Sequence, residues 1–63
     1  MLNQVLTLLG ISDPGEEVTS LLNQIINMTQ QRLLLRLGVN AVPSELEYIV
    51  VEVSIVRYNR IGS

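Results

Sequence analysis

Glu16/Glu17 and Glu45/Glu47 are the closest carboxylate pairs in the chain, and paired carboxylates are what general acid–base catalysis or a divalent cation would use. Both pairs stand where a helix is expected to begin. There they complement the positive end of the helix dipole, which accounts for them without catalysis. The sequence has no histidine and no cysteine, and all four of its basic residues are arginine. The commonest general base, the commonest transition-metal ligand and the thiolate are therefore missing. Serine and threonine hydroxyls are left with no His or Lys to activate them. The glycines are scattered singly rather than gathered in a phosphate loop, and no carboxylate cluster suited to a metal is evident. The expectation is a protein that is not an enzyme and holds no cofactor and no metal.

The other constellation that invites a function is Arg57-Tyr58-Asn59-Arg60, followed by Ile61-Gly62-Ser63. Arginines near the end of a helix favour the negative end of its dipole, and glycine commonly ends a helix, so a well-capped C-terminus explains part of this pattern. Arg and Tyr are also the residues in which interfaces concentrate their energy, and Arg57 and Arg60 lie one turn apart on the same side. A contact patch is the competing reading. The final Gly62-Ser63, with no terminal structure after it, reads as an interrupted chain, the ordered part of a longer one.

The elements that must position these residues follow from length and apolar pattern. A chain of 63 residues allows one small domain, and a chain this short buries only about 60% of the surface that its unfolded form exposes. Disulfides and zinc are excluded as reinforcement, yet 48% of the residues are hydrophobic. That is too apolar for disorder, so oligomerisation or a partner surface is the remaining source of stability. The net charge of −2 and the pI near 4.7 argue against autonomous binding to phosphate backbones. Tyr48 and Tyr58 are too few to stack single-stranded bases. Glu47, Glu52 and Arg57 interrupt the longest apolar region well short of the ~20 residues that a membrane span needs. With no Lys or Arg ahead of the first apolar residues to suggest a signal peptide, an intracellular aqueous compartment is expected.

Leu2, Val5, Leu6 and Leu9 are spaced as a short first helix that Gly10 and Ile11 would close. Asp13 is placed to cap a second helix, with Pro14 at its first position and Glu16 three residues beyond the cap. Its stripe of Val18, Leu21, Leu22, Ile25 and Ile26 continues to Leu33 and Leu37, and Gly38 ends it. This is about 22 residues, or ~33 Å of helix. A third helix opens at Pro43 with the capping box Ser44-Glu45-Leu46-Glu47. One stripe on it is Leu46, Ile49, Val50, Val53 and Val56, and a second is Tyr48, Val51, Ile55 and Tyr58. The β-branched run Tyr48–Val56 also fits a strand, but the capping box and the length of the pattern favour a helix. The fold expected is all-α, a single domain of three helices over residues 1–63. One stripe of the third helix packs on the second helix, and the other, like the run Leu33-Leu34-Leu35-Arg36-Leu37, calls for a further surface. Closure of a compact three-helix core is the plainer alternative for these leucines.

A long helix ending in leucines and Gly38, a loop into Pro43-Ser44-Glu45-Leu46, and a helix ending Arg57-Tyr58-Asn59-Arg60 together resemble the head-tail connector proteins of tailed bacteriophages, also called head-completion or adaptor proteins. The resemblance spans roughly residues 13 to 63, and its most specific element is the Arg-Tyr-Asn-Arg ending. It implies a structural virion protein at the head–tail junction, made in the host cytoplasm. It further implies a homo-oligomeric ring, dodecameric in the family's pattern, that binds the portal protein and a downstream tail-completion protein. DNA would be only the passing cargo of the channel that the ring extends, and an acidic subunit is compatible with DNA sliding past. Family members usually continue beyond this motif into a tail segment absent from this chain. The interface residues expected are Leu33, Leu34 and Arg36 of the second helix, and Tyr48, Val51, Ile55, Arg57, Tyr58, Asn59 and Arg60 of the third. The alternative is a small dimeric helical regulator that binds DNA through the face formed by Asn23, Gln24, Asn27, Gln30 and Gln31.

Overall fold

The computed structural model describes residues 1–62. It contains α1 at Leu2–Leu9, α2 at Glu16–Leu37 and α3 at Glu47–Gly62, with one 3₁₀ turn at Ser44–Leu46 leading into α3. No strand occurs among the described residues. The all-α expectation therefore holds, and the β-branched run of α3 is helical. Helical periodicity explains why: it turns Val50, Val51 and Ser54 of that run inward together, and the packing so gained outweighs the intrinsic β-preference of valine and isoleucine. The expected end of the chain at Gly62-Ser63 includes Ser63, which lies outside the described residues.

Both glycine-terminated helices end as the sequence predicts. Gly10 adopts φ 75° and Gly38 φ 67°, the left-handed region that L-residues avoid. The amide of Ile11 donates to the Leu6 carbonyl at 3.0 Å, and that of Gly38 donates to the Leu34 carbonyl at 2.8 Å. These bonds satisfy carbonyls that would otherwise lack a helical partner. α2 runs for 22 residues, the length read from its pattern.

The helix starts differ from expectation. Gly15, not Asp13, occupies the cap position of α2; it is extended, and its carbonyl accepts the Thr19 amide at 3.0 Å. Pro14 lies before the helix rather than at its first position, which Glu16 holds. Glycine at an N-cap costs only a few tenths of a kcal/mol relative to an Asp or Ser cap, so one local solution replaces the other at little expense. The capping box of Ser44 and Glu47 is likewise not made. Ser44 is drawn into the 3₁₀ turn, where the Leu46 amide donates to the Pro43 carbonyl at 2.9 Å, and no side chain caps the turn.

α3 packs against both other helices, most extensively against α2, while α1 touches α2 least. The core is one cluster of Val5 from α1, Leu22 and Ile26 from α2, and Val50 and Val51 from α3. Half-buried Leu2, Leu6, Leu9, Val18, Leu33, Ile55 and Tyr58 surround it. Two polar side chains share the interior. Thr29 donates from Oγ1 to the Ile25 carbonyl at 2.8 Å, so its hydroxyl is satisfied within its own helix. Ser54 is fully buried, and its Oγ has no hydrogen-bond partner.

An unpaired buried hydroxyl costs stability, whereas alanine has nearly the same volume and a better helix propensity. Ser54→Ala is therefore expected to stabilise the fold by about 1 kcal/mol, read as a rise of roughly 4–8 °C in Tm by circular dichroism. The reverse holds at Gly38. No atom lies within 4 Å of a Cβ added there, so Gly38→Ala meets only backbone strain and should destabilise by about 1–2 kcal/mol in a denaturant titration.

Candidate functional site

The described residues of this small fold bury only six hydrophobic side chains, while nine large ones stay exposed: Leu8, Met28, Leu35, Leu37, Val39, Tyr48, Val53, Val56 and Ile61. Nine further hydrophobic residues are half-buried against the core, so the exposed nine are what the fold leaves uncovered. Isolated exposed hydrophobic residues are ordinary, but a grouped set marks a contact surface. Several of these group along the two sides of α3.

On the side toward α2, a groove of about 150 Å³ has Leu33, Ile49, Val50 and Val53 as its apolar part and Arg32, Arg36 and Arg57 around it. Ile49, Val53, Val56 and Arg60 recur at helical spacing along this side. On the side toward α1, a wider groove of about 470 Å³ is formed by Asn3, Gln4, Thr7 and Leu8 with Tyr48, Val51 and Glu52. A third hollow, polar and open, lies along α2 at Pro14, Glu16, Thr19, Ser20, Asn23, Gln24 and Asn27.

The predicted interface residues divide among these environments. Arg36, Tyr48, Asn59 and Arg60 are exposed, while Leu33, Leu34, Ile55, Arg57 and Tyr58 are half-buried. Val51 is 6% exposed and belongs to the core cluster, so it is structural rather than free surface. Ile55 and Tyr58 also pack against that cluster. Of the stripe expected to seek an outside partner, Tyr48 is exposed while Val51, Ile55 and Tyr58 join or pack against the core; of the stripe expected to pack on α2, Val50 is buried while Val53 and Val56 face outward. Arg57-Tyr58-Asn59-Arg60 spreads around α3 rather than lying on one side. Its tyrosine turns to the core, its arginines lie toward the α2 side, and Asn59 lies seven residues after Glu52, on the side of Tyr48. Arg32 and Leu8 were not singled out from sequence, and Glu52 was read only as a break in the apolar run; Arg32 had a visible signal, since it precedes Arg36 by one helical turn.

Among the described residues, no group of three or more carboxylates is placed to hold a metal ion, and no helix is long and apolar enough to cross a membrane. The amide-rich face of α2 is set apart from the cations. Asn23, Gln24, Asn27 and Gln31 are exposed, and Gln30 donates to the Met1 sulfur at 3.4 Å, while Arg32 and Arg36 line the groove against α3. A recognition helix needs phosphate-binding cations beside its base-reading amides, and this arrangement counts against DNA recognition by α2.

A small all-helical scaffold that presents apolar and charged flanks is the class of protein these features define. The whole chain, residues 1–63, matches the family of phage gp6-like head-tail connector proteins, and it belongs to that family. The match includes α1, which lies outside the segment from 13 onward that carried the resemblance. No curated protein and no solved structure matches the chain. The family is structural rather than enzymatic, and membership points to the virion.

The burial pattern separates surface from scaffold in a testable way. In dilute solution, Leu35→Ser at an 84% exposed position should change unfolding free energy by no more than about 0.5 kcal/mol. Leu22→Ala in the core should cost about 2–5 kcal/mol, enough to unfold a large fraction of so small a domain. Urea titrations of the two variants measure the contrast.

Proposed function

We propose that this chain is the repeating subunit of a ring that joins the portal to the tail and extends the DNA channel between them. The observation that carries the reading is the exposed apolar set: a member of the head-tail connector family leaves nine large hydrophobic side chains exposed among its described residues. Burial of apolar surface yields roughly 25 cal/mol per Å², so neighbouring copies that cover these side chains supply the stability that a core of this size lacks.

In this reading Arg36, Tyr48, Arg57, Asn59 and Arg60 make the polar contacts of assembly, and Leu33, Leu34, Ile55 and Tyr58 form the partly buried rims beside them. Subunits synthesised in the host cytoplasm assemble on the portal, and a tail-completion protein closes the other side. DNA passes through without being gripped, consistent with a subunit of net charge −2.

Sedimentation velocity of the protein, alone and with its portal ring, tests this function. The expected result is a concentration-dependent closed oligomer, or co-sedimentation with the portal. A monodisperse monomer that ignores the portal at every concentration contradicts it. Arg57→Ala is expected to lower the assembled fraction at least about tenfold, as truncation of an interface arginine does, while the Tm of the dilute protein changes by only a few degrees.

A further inference from the structure

The two sides of α3 differ in charge as well as in position. Arg32, Arg36 and Arg57, three of the chain's four cations, gather at the groove against α2, and no carboxylate lines it. Among the described residues no salt bridge engages these three arginines. The groove against α1 has no cation in its lining; it carries Glu52 beside Tyr48 and Leu8, and the exposed Glu45 lies one turn before Tyr48. Each side therefore combines an apolar strip with charges of one sign, and the two signs are opposite.

We propose that the α2-side groove of one subunit receives the α1-side edge of a second copy of this chain, a head-to-tail contact that rests on the ring reading above. Leu8, Tyr48 and Glu52 of one copy dock over Ile49 and Val53 of the next, with Glu45 and Glu52 facing Arg32, Arg36 and Arg57. Charge complementarity selects this pairing. Joining like sides would bring arginine against arginine or glutamate against glutamate, an arrangement that costs an interface affinity and on-rate. Guanidinium groups also stack on tyrosine, which places Tyr48 as the anchor of the acidic side. Because the paired surfaces are different patches of one chain, the contact is heterologous and propagates, and it closes into a ring when the rotation per subunit divides the circle.

Charge reversal on each side tests the pairing. R32E/R36E makes both sides acidic, and E45R/E52R makes both basic. Each variant alone is expected to self-associate at least about tenfold more weakly than the wild type in sedimentation, because every contact now sets like against like. An equimolar mixture is expected to recover assembly, with the two variants alternating. Far-UV circular dichroism checks that both remain helical. A second probe survives a folding defect in either: the chain lacks cysteine, so Leu8→Cys and Val53→Cys variants, mixed and treated with a short bismaleimide, should yield mixed dimers in preference to either homodimer.

Reversed variants that assemble like the wild type, a mixture that stays dissociated, or a preference for homodimers would overturn the pairing while leaving a ring in place. A wild-type protein that remains a monomer with and without portal overturns the ring reading itself. Retention of the wild type on duplex DNA at physiological salt, lost in R32E/R36E, would assign the arginines to phosphates instead and overturn the proposal.

Discussion

The whole molecule depends on one packing constraint: α3 must satisfy two neighbours with a single inner face. Val50, Val51 and the buried Ser54 supply that face, and the two valines meet Leu22 and Ile26 of α2 and Val5 of α1 in one cluster. α1 has only eight residues, about 12 Å of helix, so it shields only part of α3. A helix rich in valine and isoleucine with two partial neighbours necessarily leaves apolar side chains in solvent. The two flanks of α3, and whatever they contact, are a consequence of that geometry.

Much of the fold was legible because its determinants are local. Gly10 and Gly38 each follow a periodic apolar run, and their positive φ is a requirement that few other residues meet, so two helix ends could be placed from sequence. The length of α2 followed from a stripe that runs from Val18 through Thr29 to Leu37, just before Gly38. The helix starts were less legible because the alternatives lie close in energy. Asp13 and Gly15 are both acceptable caps, and Ser44 serves a 3₁₀ turn as readily as a capping box.

The candidate site was legible in composition but not in side. Apolar positions on α3 cover more than half of its circumference, and periodicity alone does not say which arc faces the core. That choice is made by how α1 and α2 are placed, a tertiary fact. Hence each stripe is split: Val51, Ile55 and Tyr58 turn inward while Tyr48 stays exposed, and Val50 is buried while Val53 and Val56 face outward. The Arg57–Arg60 segment was split for the same reason: four consecutive residues on a helix point in four directions about 100° apart. What survives is the physical argument beneath the motif. Arginines beside an apolar groove are suited to holding another surface.

A subunit completed by its neighbours should have a stability that depends on how many neighbours are present, since binding to the folded state alone stabilises it by mass action. Thermal unfolding followed across a wide range of protein concentration tests this claim most directly. The account predicts a Tm that climbs steadily with concentration as the flanks of α3 become covered. A Tm that is the same at every concentration would show that the small core suffices by itself, and would contradict the account.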